Sequence, residues 1–203
     1  MSSIEHLATL FMKFPGIGTR QAKRFVYFLL AQNPQYVDEL AQEIANLKKT
    51  IAQCSSCFRF YPRTNTSPLC TICAGDSDHT TLLVVEKDTD FESVKRSGSY
   101  AGKYFILGGT IPVLATDPAS KIRIRELITR IEHGVPEGLS EIILALSVNP
   151  ESDFTREYIM KALEPLSQKY QLSVTTLGRG LSTGTELEYS DSDTLRYALK
   201  NRG

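Results

Sequence analysis

The chain has 203 residues, equal numbers of acidic and basic side chains and therefore no net charge, with 41% hydrophobic and 23% charged residues. That composition is globular, excludes a disordered polyelectrolyte, and requires any affinity for nucleic acid or a membrane surface to come from a local patch. No apolar run approaches the roughly 20 residues needed to span a bilayer, no basic-then-apolar leader opens the chain, and four cysteines in that setting point to metal or catalysis instead of disulfides. The expectation is a soluble cytoplasmic protein.

Ser2 with Glu5 three residues on has the form of a capping box, and Ile4, Leu7, Ala8 and Phe11 then recur at helical spacing. This first amphipathic helix ends at Phe14-Pro15-Gly16-Ile17-Gly18, whose proline and two glycines demand a tight hairpin between helices. A second helix starts near Thr19. Ala22, Phe25, Val26 and Leu29 line one side of it and Arg20, Lys23, Arg24 and Tyr27 the other, with no acid between Met12 and Asn33. Gly16 and Gly18 leave backbone N–H groups open at a helix N-terminus, a place suited to a phosphate, and the basic stripe lies beside it. The arrangement resembles a helix-hairpin-helix motif, which grips the nucleic-acid backbone without reading bases. The plainer alternative is an αα-hairpin with a solvated charged face. Asn33-Pro34 caps a third helix, in which Val37, Leu40, Ala41, Ile44, Leu47 and Ile51 continue the apolar face.

Cys54-Ser55-Ser56-Cys57 and Cys70-Thr71-Ile72-Cys73 are two C-x-x-C pairs twelve residues apart. Thiolates at this spacing close a tetrahedron around zinc, so one Zn(2+) per chain is predicted on Cys54, Cys57, Cys70 and Cys73. With every ligand supplied by protein no position is left for a substrate, and the metal folds the segment without catalysing. A redox role competes, but the pairs come in two copies and neither precedes a helix as a thioredoxin-like site would. Phe58, Arg59, Phe60, Tyr61 and Arg63 either stack on nucleic acid or cover the small core of the finger.

Thr81-Leu82-Leu83-Val84-Val85 then runs apolar and β-branched without alternation and stops at Glu86, as a strand covered on both faces does, with an acid at its carboxyl end. Acids continue at Asp88, Asp90 and Glu92 into a helix stopped by Gly98. The Gly98–Lys103 stretch has a Gly-x-x-x-Gly-Lys form, but it is one residue short of a phosphate loop and has Tyr104 where a hydroxyl should bind magnesium, so it is rejected. Strands follow at Tyr104 to Leu107, closed by Gly108-Gly109, at Glu141 to Ser147, and more weakly at Leu172 to Leu177. Between them lie a crossover helix over Lys121 to Ile131, ending at His133-Gly134, and a helix from about Asp153 that stops at Pro165. The alternation predicts an α/β fold with a mainly parallel sheet flanked by helices and right-handed crossovers.

In this order, the helix-hairpin-helix, the four-cysteine finger, Leu83-Val84-Val85-Glu86, Lys95-Arg96-Ser97-Gly98, Tyr104 to Gly109, Asn149-Pro150-Glu151 and the ending Gly180-Leu181 through Gly184 to Leu187-Glu188-Tyr189 resemble the RecR family of bacterial recombination-repair proteins over essentially the whole chain. The resemblance implies a helical helix-hairpin-helix region over 1–53, a zinc finger over 54–78, a Toprim-type domain over 79–178, and a C-terminal oligomerisation segment with a strand and helix over 179–203. It implies a non-enzymatic DNA-binding mediator, assembling from homodimer to homotetramer as a ring around single- or double-stranded DNA. Such a ring acts with RecO and RecF to load RecA onto single strands coated by SSB. Gly16, Gly18, Arg20, Lys23 and Arg24 would hold DNA, with Thr19 and Arg20 standing where the family usually has Pro and Lys. Glu86, Asp90, Asn149 and Glu151 would form a surface for a partner or a divalent ion. In Toprim enzymes an Asp-x-Asp pair joins the glutamate, and the neutral Asn149 at that place weakens a site for a hard cation. A magnesium-dependent Toprim nuclease or primase is the competing reading, disfavoured also because no tyrosine stands out as a nucleophile, there is no Gly-x-Ser-x-Gly elbow, and His6, His79 and His133 form no cluster.

Overall fold

The computed structural model describes residues 1–63, 67–178, 181, 184 and 186–200, with the backbone alone at 193 and 200. Gly180 of the expected ending lies outside the described residues. The chain divides into two compact units, Met1–Ala52 and Gln53–Gly203.

In the first unit α1 (Ser3–Phe11) opens on the expected capping box: the Glu5 amide donates to Ser2 Oγ at 3.3 Å, and the Ser2 amide donates to the Glu5 carboxylate at 2.9 Å. Helix α2 (Thr19–Ala31) packs on it through Ala8, Ala22 and Val26, with Ile4, Leu7, Phe11 and Ile17 around them. Helix α3 (Pro34–Thr50) is capped by Asn33, whose side chain accepts from the Tyr36 amide. The apolar face expected of α3 is only partly covered: no α3 residue is buried, Val37 and Leu40 are half-buried, and Ile44 and Leu47 are 63% and 59% exposed. The small core of α1 and α2 reaches no further, so the C-terminal half of the stripe stands open.

The second unit begins with the last residue of β1 (Ile51–Gln53), followed by β2 (Phe60–Pro62) and the one-turn helix α4 (Thr71–Ala74). The sheet comprises β3 (Asp78–Val85), β4 (Gly102–Ile106), β5 (Glu141–Ala145) and β6 (Ser173–Thr176), in the order β4-β3-β5-β6, parallel at every pairing. Both faces are covered, as the unbroken apolar run of β3 requires. Leu82 and Val84 point into a core with Phe105, Leu107, Ile142, Leu144, α6 (Ile124–Gly134) and α7 (Pro150–Tyr170). Leu83 and Val85 face the opposite way, toward Tyr104, Ile106 and Phe91 of α5 (Asp88–Ser97). Gly98 ends α5 at φ +67°, the left-handed stop expected of it. Beyond β6, a 3-10 turn at Leu187–Tyr189 and α8 (Ser192–Lys200) follow.

Two helix bounds differ from expectation. Helix α6 starts at Ile124, after a 3-10 turn at Pro118–Ser120, because Arg123 is held out of helical geometry, its amide donating to the Leu107 carbonyl and its guanidinium to the Ile106 carbonyl. Helix α7 starts at Pro150 under an Asn149 cap and runs through Pro165 to Tyr170. A proline inside a helix removes one hydrogen bond and costs about 3 kcal/mol. Pro165 is exposed, while Ile159, Leu163, Leu166 and Tyr170 continue the contact with the sheet on either side of it, and that burial outweighs the loss. Replacing Pro165 with Ala should therefore raise unfolding stability by about 1–2 kcal/mol in a denaturant titration, whereas Leu127→Ala, at a fully buried α6 position, should lower it by about 2–5 kcal/mol.

Candidate metal centre and nucleic-acid interface

The hairpin between α1 and α2 is a turn in which the Ile17 amide donates to the Phe14 carbonyl at 3.2 Å, with Pro15 and Gly16 at its centre. Gly16 takes φ +77°, which the second central position of a type II turn demands. Gly18 is different: its φ of −88° suits any residue, but it is the N-cap of α2, and a Cβ there would meet nothing within 4 Å. No side chain caps this helix, so its first amides stay open to an incoming anion. Arg20, Lys23 and Arg24 are all exposed, and among the described residues no ion pair engages them. The opposite side carries the buried Ala22 and Val26, so the separation of faces read from the sequence is present in the fold.

The four cysteines converge. Their Sγ atoms all lie within 4.8 Å of one another, and Cys57 Sγ is 3.7 Å from Cys70 Sγ. A tetrahedron of metal–sulfur bonds of about 2.3 Å has edges of about 3.8 Å, so the donor set fits a tetrathiolate-bound metal. Two knuckles supply it. The Phe58 amide donates to the Cys54 carbonyl and the Cys54 amide to the Arg59 carbonyl, with Phe58 held at φ +63°, while the Ser55 amide donates to Pro68 and ties the knuckles together. The second pair does lie on a helix, contrary to the sequence reading: Cys70 is the N-cap of α4 and Cys73 lies in its single turn. Cys54, Cys57 and Cys70 are buried, which limits access by an outside disulfide partner. The Cys54 thiol is pushed down by hydrogen bonds with Cys57, Cys70 and Cys73, and Cys57 is pushed up by the same network, led by Cys54. Thiols this close cannot all ionise unless a cation lies between them.

The finger is joined to the sheet. The Ile106 amide on edge strand β4 donates to the Cys57 carbonyl at 2.9 Å, and Phe58 meets Phe105 edge-on at 5.5 Å, with the Arg123 guanidinium over Phe58. Asp88 accepts from the Phe60 amide at 2.8 Å, and the buried Arg59 stacks on Phe91 at 4.6 Å. The Tyr61 hydroxyl donates to Ser67. Of the aromatic residues proposed for stacking, Phe58 packs against the core of the sheet, Tyr61 is buried, and Phe60 remains 57% exposed.

At the carboxyl ends of β3 and β5 the expected acids take separate roles. Glu86 is 3% exposed, and its carboxylate accepts from the Ser147 amide at 2.8 Å, the Ser147 hydroxyl at 3.1 Å and the Ser152 hydroxyl at 2.5 Å. Asp90 accepts from the Lys87 amide at the start of α5, Asn149 from the Ser152 amide at the start of α7, and the exposed Glu151 from Thr110. Among the described residues the cysteines are the group of acids, histidines and cysteines arranged to hold a metal. The sequence reading missed Ser147 and Ser152 as partners of Glu86; the spacing of Ser152 three residues after the Asn149 cap was the available signal. It also left Lys103 without a role once the phosphate-loop reading was rejected. Lys103 is 2% exposed and donates to the carbonyls of Ile72 and Gly75 at 2.9 and 2.7 Å. Replacing Glu86 with Ala would leave the Ser152 hydroxyl and the Ser147 amide without their acceptor, and should cost about 2–4 kcal/mol of stability in a denaturant titration, with helicity retained.

The chain was compared with known proteins. The family profile described as "RecR, helix-hairpin-helix" matches residues 4–48, and "RecR, C-terminal" matches residues 180–202. A recombination protein RecR of Pelobacter propionicus is 35% identical over 99% of this chain and 96% of its own length. Those of Chloroflexus aggregans, 35% identical over 98% of this chain and 92% of the relative, and Lactobacillus acidophilus, 32% identical over 98% and 96%, are similar along the same span. With both fold units, the finger and the C-terminal segment included in these alignments, the chain belongs to the RecR family of recombination proteins.

Proposed function

We propose that this protein is a DNA-binding mediator of recombination repair that clamps DNA as a homodimer or homotetramer. In this reading it acts with RecO and RecF to load RecA onto SSB-coated single strands in the cytoplasm. The observation that carries the DNA contact is the uncapped α2 N-terminus at Gly18 beside the exposed Arg20, Lys23 and Arg24, which form no ion pair among the described residues. Backbone amides and guanidinium groups so placed suit phosphates and carry no base information. Assembly is supported by the apolar surface of the first unit, where Tyr27, Phe28, Leu30, Ile44 and Leu47 are each more than half exposed. Among the described residues no helix is long and apolar enough to cross a membrane.

The metal we assign is zinc, one per chain, in a structural role: four thiolates at tetrahedral spacing suit it and leave no open coordination position. We read the protein as non-enzymatic. The Glu86 carboxylate, which a Toprim enzyme would direct at magnesium, is turned inward and engaged by Ser147 and Ser152, and the neutral Asn149 side chain is spent on capping α7. The partner surface at these strand ends then centres on exposed Glu151 at the start of α7, with Asp90 in the first turn of α5, which follows β3.

Replacing Arg20 and Arg24 with Glu should weaken DNA binding equally across sequences and flatten the dependence of affinity on salt, whose log–log slope is about −0.9 per phosphate neutralised on duplex. Unchanged affinity and slope would reduce the stripe to a solvated face. Cys70→Ser should lower zinc content and solubility together, since the finger covers the edge of the sheet; a folded, soluble, metal-free variant would refute the structural role.

A further inference from the structure

A metal held by four thiolates carries a net charge of about −2 if the ion is divalent, and three of these cysteines are buried. Buried charge needs compensation from opposite charge or from hydrogen bonds. Lys103 stands in the right place to give it. Its ammonium, 2% exposed, donates to Ile72 O at 2.9 Å and to Gly75 O at 2.7 Å, so it grips the second knuckle from both sides of Cys73. No carboxylate pairs with it among the described residues. The Ile72 carbonyl belongs to the same peptide group as the amide of Cys73, one of the four ligands, and Gly75 follows two residues after it. Lys103 therefore ties down the backbone on both sides of that ligand.

We propose that Lys103 is a positioning residue of the metal centre, whose ammonium holds the second knuckle in its metal-binding shape through the Ile72 and Gly75 carbonyls and sets a buried cation beside the thiolate cluster. This rests on the reading that the four cysteines bind zinc. Outer partners of metal ligands commonly contribute about 10–100-fold to metal affinity, and a buried cation bonded to the backbone on both sides of a ligand belongs in that range. The Gly-Lys pair at positions 102 and 103 thus serves a sulfur site, although its form resembles a phosphate loop.

The test uses the full-length chain and three variants: Lys103→Met, which keeps the apolar stem; Lys103→Gln, which keeps a neutral donor; and Lys161→Met, which removes the same charge from an exposed site on α7. Zinc release to a chromogenic chelator should be about 10–100-fold faster in both Lys103 variants and unchanged in the Lys161 variant. With cobalt in place of zinc, the thiolate-to-metal charge-transfer band should move to longer wavelength in both Lys103 variants, because thiolates with no cation beside them give up their electrons more easily. Damaged packing alone would not produce that shift in a variant with unchanged circular dichroism. Should Lys103→Met fail to fold, the Gln variant decides, since it keeps a polar donor at the buried site while removing the charge. Parent-like release and an unmoved band in Lys103→Gln overturn the proposal. A parent chain that takes up neither zinc nor cobalt overturns the metal reading itself, a separate outcome.

Discussion

The hydrogen bond from the Ile106 amide to the Cys57 carbonyl fixes the organisation of the second unit. Strand β4 is the edge of an all-parallel sheet, and an open edge presents unpaired backbone groups to any passing strand. Here the first cysteine knuckle occupies that edge. Phe58 reaches the face that holds α6 and α7, while Ile72 reaches the face that holds α5. The finger is accordingly a clip over both faces of the sheet, and the metal geometry and the strand geometry constrain each other. That relation explains the density of cross-contacts, from Asp88 on the Phe60 amide to Arg59 over Phe91.

A second constraint acts at the strand ends. A glutamate at the end of β3 is the residue a catalytic sheet would direct outward at a metal, yet Glu86 is turned in and satisfied by two serines and an amide. The bracket joins β3, the end of β5 and the start of α7, so the carboxylate contributes rigidity at the place where open α/β sheets put their sites.

Much of this was legible in the sequence because local rules and tertiary packing agreed. The unbroken run Leu82 to Val85 meant two covered faces, the cysteine spacing meant convergence, and the face separation on α2 survived intact. The failures occurred where packing overruled local preference or had nothing to act on. Pro165 is bridged because Leu163 and Leu166 bury on either side of it, and α3 keeps the C-terminal half of its apolar stripe exposed because the core of α1 and α2 ends before it. Lys103 and the serine partners of Glu86 were illegible for another reason. Their roles are contacts across 28 to 66 residues of sequence, which no spacing pattern records.

The first unit has a buried core of only Ala8, Ala22 and Val26. Side chains this small remove little apolar surface from water, and the conformational entropy of some fifty residues must still be overcome. The amides of α1 to α3 consequently belong to the low end of the chain's local stability scale and exchange with solvent before those of β3 and β5. The part of the molecule that carries the cationic stripe is the part that opens first, so a protease or a deuterium pulse would find α1 to α3 long before it reached the sheet.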